Sequence, residues 1–253
     1  MKKLLNNSGN KISITSFHVY KFLKEDGYSI DKNTLLTENL DRIINYKSFP
    51  KRDLYIQPFD NRFNHILKRS FDIFFSVIII FFILSWLIPV IAILIKSDSR
   101  GPVFFLQKRN KKNGKVFTCI KFRSMIVNKD ADLLQAEEND ERITRTGKYL
   151  RKSHFDELPQ FFNVLWGDMS VVGPRPHMIS DNLRYNGCVD HYADRLSVKP
   201  GITWLAQVMG YIGPVEDIDE MKSRVRMDNL YISHRSLKLD MIILYITVFK
   251  AIL

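Results

Sequence analysis

Asp156 and Glu157 stand side by side in RKSHFDELPQFFNVLWGDMSVVGPRP, residues 151–176. Adjacent carboxylates among cations suit a metal ion and a phosphate. Arg151 and Lys152 precede the pair and Arg175 follows it. Pro159 lies two residues beyond Glu157. Proline has no N–H and fits the first turn of a helix, where N–H groups lack intrahelical acceptors. The spacing predicts Asp156 as the N-cap of a helix over 156–166, with Glu157 and Pro159 in its first turn. The macrodipole of such a helix would keep both carboxylates charged. A capped surface helix with solvated charges fits the same residues.

The surrounding elements must hold these groups in place. VFFLQKR (103–109) and KVFTCIKF (115–122) read as two strands, and Asn113-Gly114 between them is a strong hairpin signal. Residues 128–150 read as helical, acidic and then basic, and Gly173-Pro174-Arg175-Pro176 reads as a rigid loop. One long apolar run, FDIFFSVIIIFFILSWLIPVIAILI (71–95), has the length to cross a bilayer. Lys68 and Arg69 precede it; Lys96, Arg100, Lys108, Arg109, Lys111 and Lys112 follow it. Positive charge on both flanks obeys the positive-inside rule only if both ends stay on the cytoplasmic face. We therefore read the run as a re-entrant helix rather than a span, breaking at Pro89, with Ser85 placed to satisfy a freed carbonyl. The tail LKLDMIILYITVFKAIL (237–253) is interrupted by Lys238, Asp240 and Lys250 and reads as a helix that is interfacial or packed on the catalytic part. Residues 1–64 read as a separate polar segment of unassigned role, with a short helix through 40–44 capped by Thr37; the domain proper runs 65–253, its catalytic part over 96–253.

Composition narrows the classes. Lys plus Arg number 38 against 27 acidic residues, a net charge of +11. Residues 96–152 alone carry 15 Lys/Arg and 7 Asp/Glu. That balance points to nucleic acid, an anionic membrane surface or phosphorylated substrates. No zinc-ligand spacing or nucleic-acid motif is present, so nucleic acid is not an expected partner. Cys119 and Cys188 are two cysteines far apart, and the basic start MKKLLNNSGNK has too short an apolar run for a secretory signal. The simplest expectation is a reduced chain facing the cytoplasm.

Several motifs in order resemble the bacterial sugar transferases, the monotopic phosphoglycosyl transferases that load a sugar-1-phosphate onto polyprenyl (undecaprenyl) phosphate. They are KRSFDI (68–73), SRGPVFFLQKR (99–109), KFRSM (121–125), ERITRTGKYLRKSHFDELPQ (141–160), GDMSVVGPRP (167–176), RLSVKPGIT (195–203) and YISHRSLKLD (231–240). The resemblance implies an α+β, mostly helical monotopic membrane enzyme with a re-entrant membrane helix, a short β-hairpin and interfacial helices. It implies a UDP-sugar donor, a polyprenyl phosphate acceptor, release of UMP, a lipid bilayer as partner and Mg²⁺ as cofactor, at the inner (cytoplasmic) membrane with the catalytic part facing the cytoplasm. Self-association is left open. Asp156 matches the family's nucleophilic aspartate and is the implied metal ligand; Glu157 matches its partner. Lys121, Arg151 and Arg175 match phosphate-binding cations, with Arg123 and Arg145 as further candidates.

The chain departs from the family in three places. Family members usually carry Pro directly after the membrane-helix Ser, where this chain has Trp86. They often read PGITGWAQVNG where this chain has PGITWLAQVMG (200–210), so Gly becomes Trp204 and Asn becomes Met209. Glucose-type members often continue with Arg-Gly-Glu, where Ile212-Gly213-Pro214 stands here. Two other readings compete with the transferase: a catalytically silent membrane-associated scaffold that keeps the fold, and a basic membrane-surface or nucleic-acid binding module.

Overall fold

A computed structural model describes residues 61–128, 140–215 and 217–252. The expected helix at 40–44 and most of the acidic part of 128–150 lie outside the described residues. The architecture is mostly helical with two small sheets.

Asn61 caps the first helix, accepting a hydrogen bond from the Phe63 N–H. The helical path then runs over Arg62–Asp98, 37 residues. It comprises α1 (Arg62–Ile79), a π segment (Ile80–Leu84) and α2 (Ser85–Asp98). Among the described residues this is the one helix long and apolar enough to cross a membrane. Most of it is uncovered: Phe74, Phe81, Phe82, Trp86 and Ile93 are exposed. A stripe of Leu84, Leu87, Ile91 and Ile95 is buried in the main core.

The break expected at Ser85 and Pro89 is corrected here. The departure from α geometry is the π segment just before Ser85, and Pro89 sits inside α2. The cause is hydrogen bonding. The Ser85 N–H reaches back five residues to the Ile80 carbonyl. Ser85 Oγ then donates to the Phe81 carbonyl (2.5 Å), and the Trp86 indole N–H donates to the Phe82 carbonyl (2.9 Å). Side chains thus take up carbonyls that the wider turn releases.

The hairpin forms as the sequence predicts. Strand β1 (Phe104–Asn110) pairs antiparallel with β2 (Val116–Phe122), Gln107 opposite Cys119. Asn113 and Gly114 both have positive φ (62° and 69°), which the tight connection requires and which Asn and Gly tolerate. Next comes α3 (Arg145–Lys152), capped by Thr144, whose hydroxyl accepts from the Gly147 N–H. Gly147 is needed here, because a Cβ on it would lie 1.9 Å from the Ser124 carbonyl oxygen.

The helix expected over 156–166 is also corrected. Phe155–Glu157 form a single 3₁₀ turn, and α4 (Gln160–Trp166) starts only after Pro159, which is itself the N-cap. Pro159 has no N–H with which to close an α turn on the Phe155 carbonyl, so the Leu158 N–H closes a tighter one (3.2 Å). His154 at φ 58° turns the chain out of α3 just before.

A short parallel pair completes the centre: β3 (Ser170–Val172) beside β4 (Gly201–Thr203), with Ser170 opposite Gly201. Between them lies α5 (Ile179–Tyr185); after β4 come α6 (Leu205–Val208), α7 (Ile218–His234) and α8 (Leu237–Ile252). Leu239, Ile243 and Ile246 bury one side of α8 in the main core.

Both ends of the apolar helix are fixed to this body. At the start, Lys68 Nζ pairs with Asp240 (2.7 Å) and Asp72 (3.5 Å). Asp72 accepts from Ser170 Oγ and the Val171 N–H, each at 3.0 Å. Arg69 donates to the Val164 and Leu165 carbonyls at the end of α4. At the far end, Asp98 accepts from the Thr146 N–H at 2.7 Å.

Candidate active site

A cavity of about 670 Å³ opens between the β-hairpin, the 3₁₀ turn, the Gly173–Pro176 loop and the segment 212–215. Asp156, Glu157, Lys121, Arg151 and Arg175 all line it. They come from four elements: Lys121 from β2, Arg151 from the end of α3, Asp156 and Glu157 from the 3₁₀ turn, and Arg175 from the loop after β3.

Glu157 is held on both sides. Lys121 Nζ donates to its Oε1 at 2.6 Å, and Arg175 Nη2 donates to the same oxygen at 3.1 Å. Burial alone would raise the Glu157 pKa, but the charges and hydrogen bonds of Arg175 and Lys121 outweigh it and keep the carboxyl well below the usual range. Asp156 differs. It is only 9% exposed, and among the described residues no group donates a hydrogen bond to its carboxylate. Burial pushes its pKa up and the neighbouring Glu157 charge adds to that, while Lys121, Arg151 and Arg175 pull it partly back. Burial and charge, rather than the helix N-terminus expected from the sequence, set the ionisation of this pair.

Two of the candidate cations have other work. Arg123 lines the cavity, but its guanidinium donates to the Ser99 carbonyl (2.8 Å) and to the Arg100 carbonyl, closing the end of α2. Arg145 is exposed at the start of α3 and does not line the cavity.

The structure also brings in residues the sequence reading passed over. Asn163 of α4 is buried; its Oδ1 accepts from the Ile120 N–H (3.0 Å) and its Nδ2 donates to the Thr118 carbonyl (2.8 Å). This locks α4 to β2 and so sets Lys121 against Glu157. The signal was a polar residue, and a poor helix former, inside the apolar run FFNVLW. Two further arginines hold the loop backbone. Arg109 Nη1 donates to the Pro176 carbonyl (2.7 Å), and Arg195 Nη2 donates to the Arg175 carbonyl (2.8 Å). Arg195 is itself paired with buried Asp228 (2.7 Å) and contacts His177. Burial first, then the nearby arginine charges, hold His177 well below the usual imidazole range, so it stays neutral. Trp204 lines the cavity and carries the Arg175 guanidinium on its ring, 4.3 Å from the centroid. Arg224 donates to the Gly213 carbonyl (3.0 Å) and fixes the segment that departs from the family pattern.

Residues 63–253 match the family described as bacterial sugar transferase. The chain belongs to the bacterial sugar transferase family. It is 47% identical over 191 residues to a UDP-glucose:undecaprenyl-phosphate glucose-1-phosphate transferase of Klebsiella pneumoniae, covering 75% of this chain and 41% of that protein. A protein of the same name from Escherichia coli (strain K12) is 41% identical over 210 residues, covering 83% of this chain and 45% of the relative. The exopolysaccharide production protein PSS of Rhizobium leguminosarum bv. phaseoli is 43% identical over 188 residues, covering 72% of this chain and 94% of that protein. The chain therefore spans under half the length of the two transferases and nearly all of PSS.

Proposed function

We propose that this sugar transferase moves a sugar-1-phosphate from a UDP-sugar to polyprenyl phosphate at the membrane surface, an initiating step in exopolysaccharide, capsule or glycan assembly. The observation that carries the reading is the division of labour in the carboxylate pair. Glu157 is neutralised by Lys121 and Arg175, whereas Asp156 faces a cationic cavity and, among the described residues, has no donor on its oxygens.

An unpartnered buried carboxylate is poorly solvated, and that favours its use as a nucleophile. In the proposed reaction a carboxylate oxygen of Asp156 attacks the β-phosphorus of the donor. The bond from that phosphorus to the UMP oxygen breaks, UMP leaves, and the sugar phosphate is left on Asp156. A phosphate oxygen of the polyprenyl acceptor then attacks the same phosphorus and restores the carboxylate. Arg175, Arg151 and Lys121 neutralise phosphate charge while this happens, and Arg suits that role through its paired N–H groups. No cluster of three or more metal-ligating side chains exists among the described residues. Mg²⁺ needs no such cluster, since it binds through one or two carboxylates plus phosphate oxygens and water; Asp156 would hold it, and it would supply charge neutralisation at the pyrophosphate.

We read Arg62–Asp98 as re-entrant at the inner membrane, with the catalytic part on the cytoplasmic face. A straight helix of this length would extend about 55 Å, and a spanning one would carry its two ends to opposite faces. Here Lys68 and Asp98 are both tied to the same folded body.

The test is UMP release from a panel of UDP-sugars, with polyprenyl phosphate and Mg²⁺, by the purified protein in detergent or nanodiscs. Wild type is expected to release UMP. Asp156→Asn is expected to abolish release while membrane association and thermal melting stay unchanged. Wild-type rates in folded Asp156→Asn would reject the assignment. No release by wild type from any donor would favour the silent scaffold.

A further inference from the structure

We propose that Trp204 is a positioning residue for Arg175: its indole face holds the guanidinium in the orientation that reaches both Glu157 and the cavity beside Asp156. The inference rests on Arg175 acting as a phosphate ligand, as proposed above.

The geometry of the guanidinium carries it. Arg175 Cζ lies 4.3 Å from the Trp204 ring centroid, while Nη2 reaches Glu157 Oε1 at 3.1 Å. Little else holds this side chain. It is 32% exposed, and among the described residues Glu157 is the one hydrogen-bond acceptor of its guanidinium. That acceptor is shared with Lys121, which sits closer at 2.6 Å. A long, partly solvated arginine tied to a single carboxylate, through the shared Oε1 and a longer contact from Nη1 to Oε2 (3.5 Å), would sample other rotamers. The ring removes that freedom and holds the guanidinium at the cavity wall.

Trp204 is built to be a fixed wall. It is 7% exposed and follows directly on β4, whose Gly201 packs against the backbone at Gly173. Its backbone is extended (φ −145°, ψ 156°), so the position accepts a side chain without strain. The Arg175 backbone is fixed independently, through the hydrogen bond from Arg195 to its carbonyl. With the carbonyl held by Arg195 and the guanidinium stacked on Trp204, the side chain is restrained at both ends. The resemblance places Gly at position 204, so in this chain the indole adds a wall beside the reacting groups.

The experiment is a double-mutant cycle on the full chain, reading kcat and KM for the UDP-sugar from UMP release, with a thermal melt of each variant. The variants are Trp204→Leu, Trp204→Met, Trp204→Phe, Arg175→Ala and the doubles of Arg175→Ala with each ring-less form. Two ring-less forms are used so that a folding failure in one leaves the cycle intact. We expect loss of the ring to lower kcat/KM by about three- to thirtyfold, the worth of a cation–π contact. Trp204→Phe should recover most of that loss. In the Arg175→Ala background, removing the ring should cost nothing more. An equal loss in both backgrounds would overturn the proposal and leave Trp204 as packing. An unchanged rate in both ring-less single variants, with Arg175→Ala still slow, would overturn it while sparing the phosphate role of Arg175. Unchanged kinetics in Arg175→Ala would overturn both.

Discussion

Asp156 and Glu157 share a functional group and a neighbourhood, yet their surroundings separate them. Lys121 and Arg175 hold Glu157 ionised, while burial and the Glu157 charge raise the Asp156 pKa. A nucleophilic Asp156 must be deprotonated. The acid limb of kcat/KM should therefore lie above the ordinary aspartate value of 3.8, with activity lost as pH falls through it. Glu157→Gln removes the repelling charge and frees two cations to act on Asp156. The overall rate should fall severely, and the acid limb of the residual activity should move to lower pH. A pH–rate profile of both proteins checks this; a limb that stays put would mean that Glu157 does not tune Asp156. Arg175→Ala removes a charge-assisted contact, which should cost about 1.5–3 kcal/mol, roughly ten- to a hundredfold in kcat/KM. Its melting temperature should hardly change, because the guanidinium is partly exposed and the loop is held by its backbone. Steady-state UMP release beside a thermal melt separates the two effects.

Between elements, the contacts that matter are close and backbone-mediated. The loop carrying Arg175 leaves β3 at Gly173, and β4 passes it at Gly201. A Cβ on Gly201 would stand 2.1 Å from the Gly173 nitrogen, and one on Gly173 would stand 2.6 Å from the Lys199 carbonyl oxygen. Neither neighbour is a flexible side chain that could move aside. Gly201→Ala should therefore push the two strands apart, at a cost of about 1–3 kcal/mol. For a chain of this size that is a fall of roughly 2–4 °C in Tm per kcal/mol. Because the displaced strand carries the Gly173–Pro176 loop, activity should fall with it. A melt together with UMP release tests the link; a stable, fully active Gly201→Ala would show that the sheet does not set the loop.

Across the whole molecule, the apolar helix is clamped at both ends to one body, by Lys68 and Asp72 at the start and Asp98 at the finish. Lys68 lies between two buried carboxylates, and such a group is costly to leave unpaired. The re-entrant reading predicts that cysteines placed at Asp60 and Phe105, in a chain lacking Cys119 and Cys188, are labelled from the same side of the membrane by an impermeant reagent. Labelling from opposite sides would establish a span and sink the re-entrant reading.

Much of this protein follows from its chain alone. The Asn113-Gly114 turn between two strand-like runs determines the hairpin, because only residues tolerant of positive φ make that turn. The run of apolar residues at 71–95 determines a long membrane-competent helix, and the order of short motifs determines the family. The adjacency of Asp156 and Glu157 marks the site, since carboxylates next to one another are close in any fold. Tertiary structure decided the rest. Pro159 shifted the start of α4, because a single missing N–H reroutes the local hydrogen bonds. The helix irregularity settled at Ile80–Leu84 rather than at Pro89, because Ser85 and Trp86 could serve the carbonyls there. Charge alone does not separate the five candidate cations, yet the fold placed Lys121, Arg151 and Arg175 beside the carboxylates, engaged Arg123 with backbone carbonyls and left Arg145 outside. Arg109, Asn163, Arg195 and Trp204 acquired their roles only through contacts distant in sequence, and charge or aromatic character alone does not say which partner a side chain will meet.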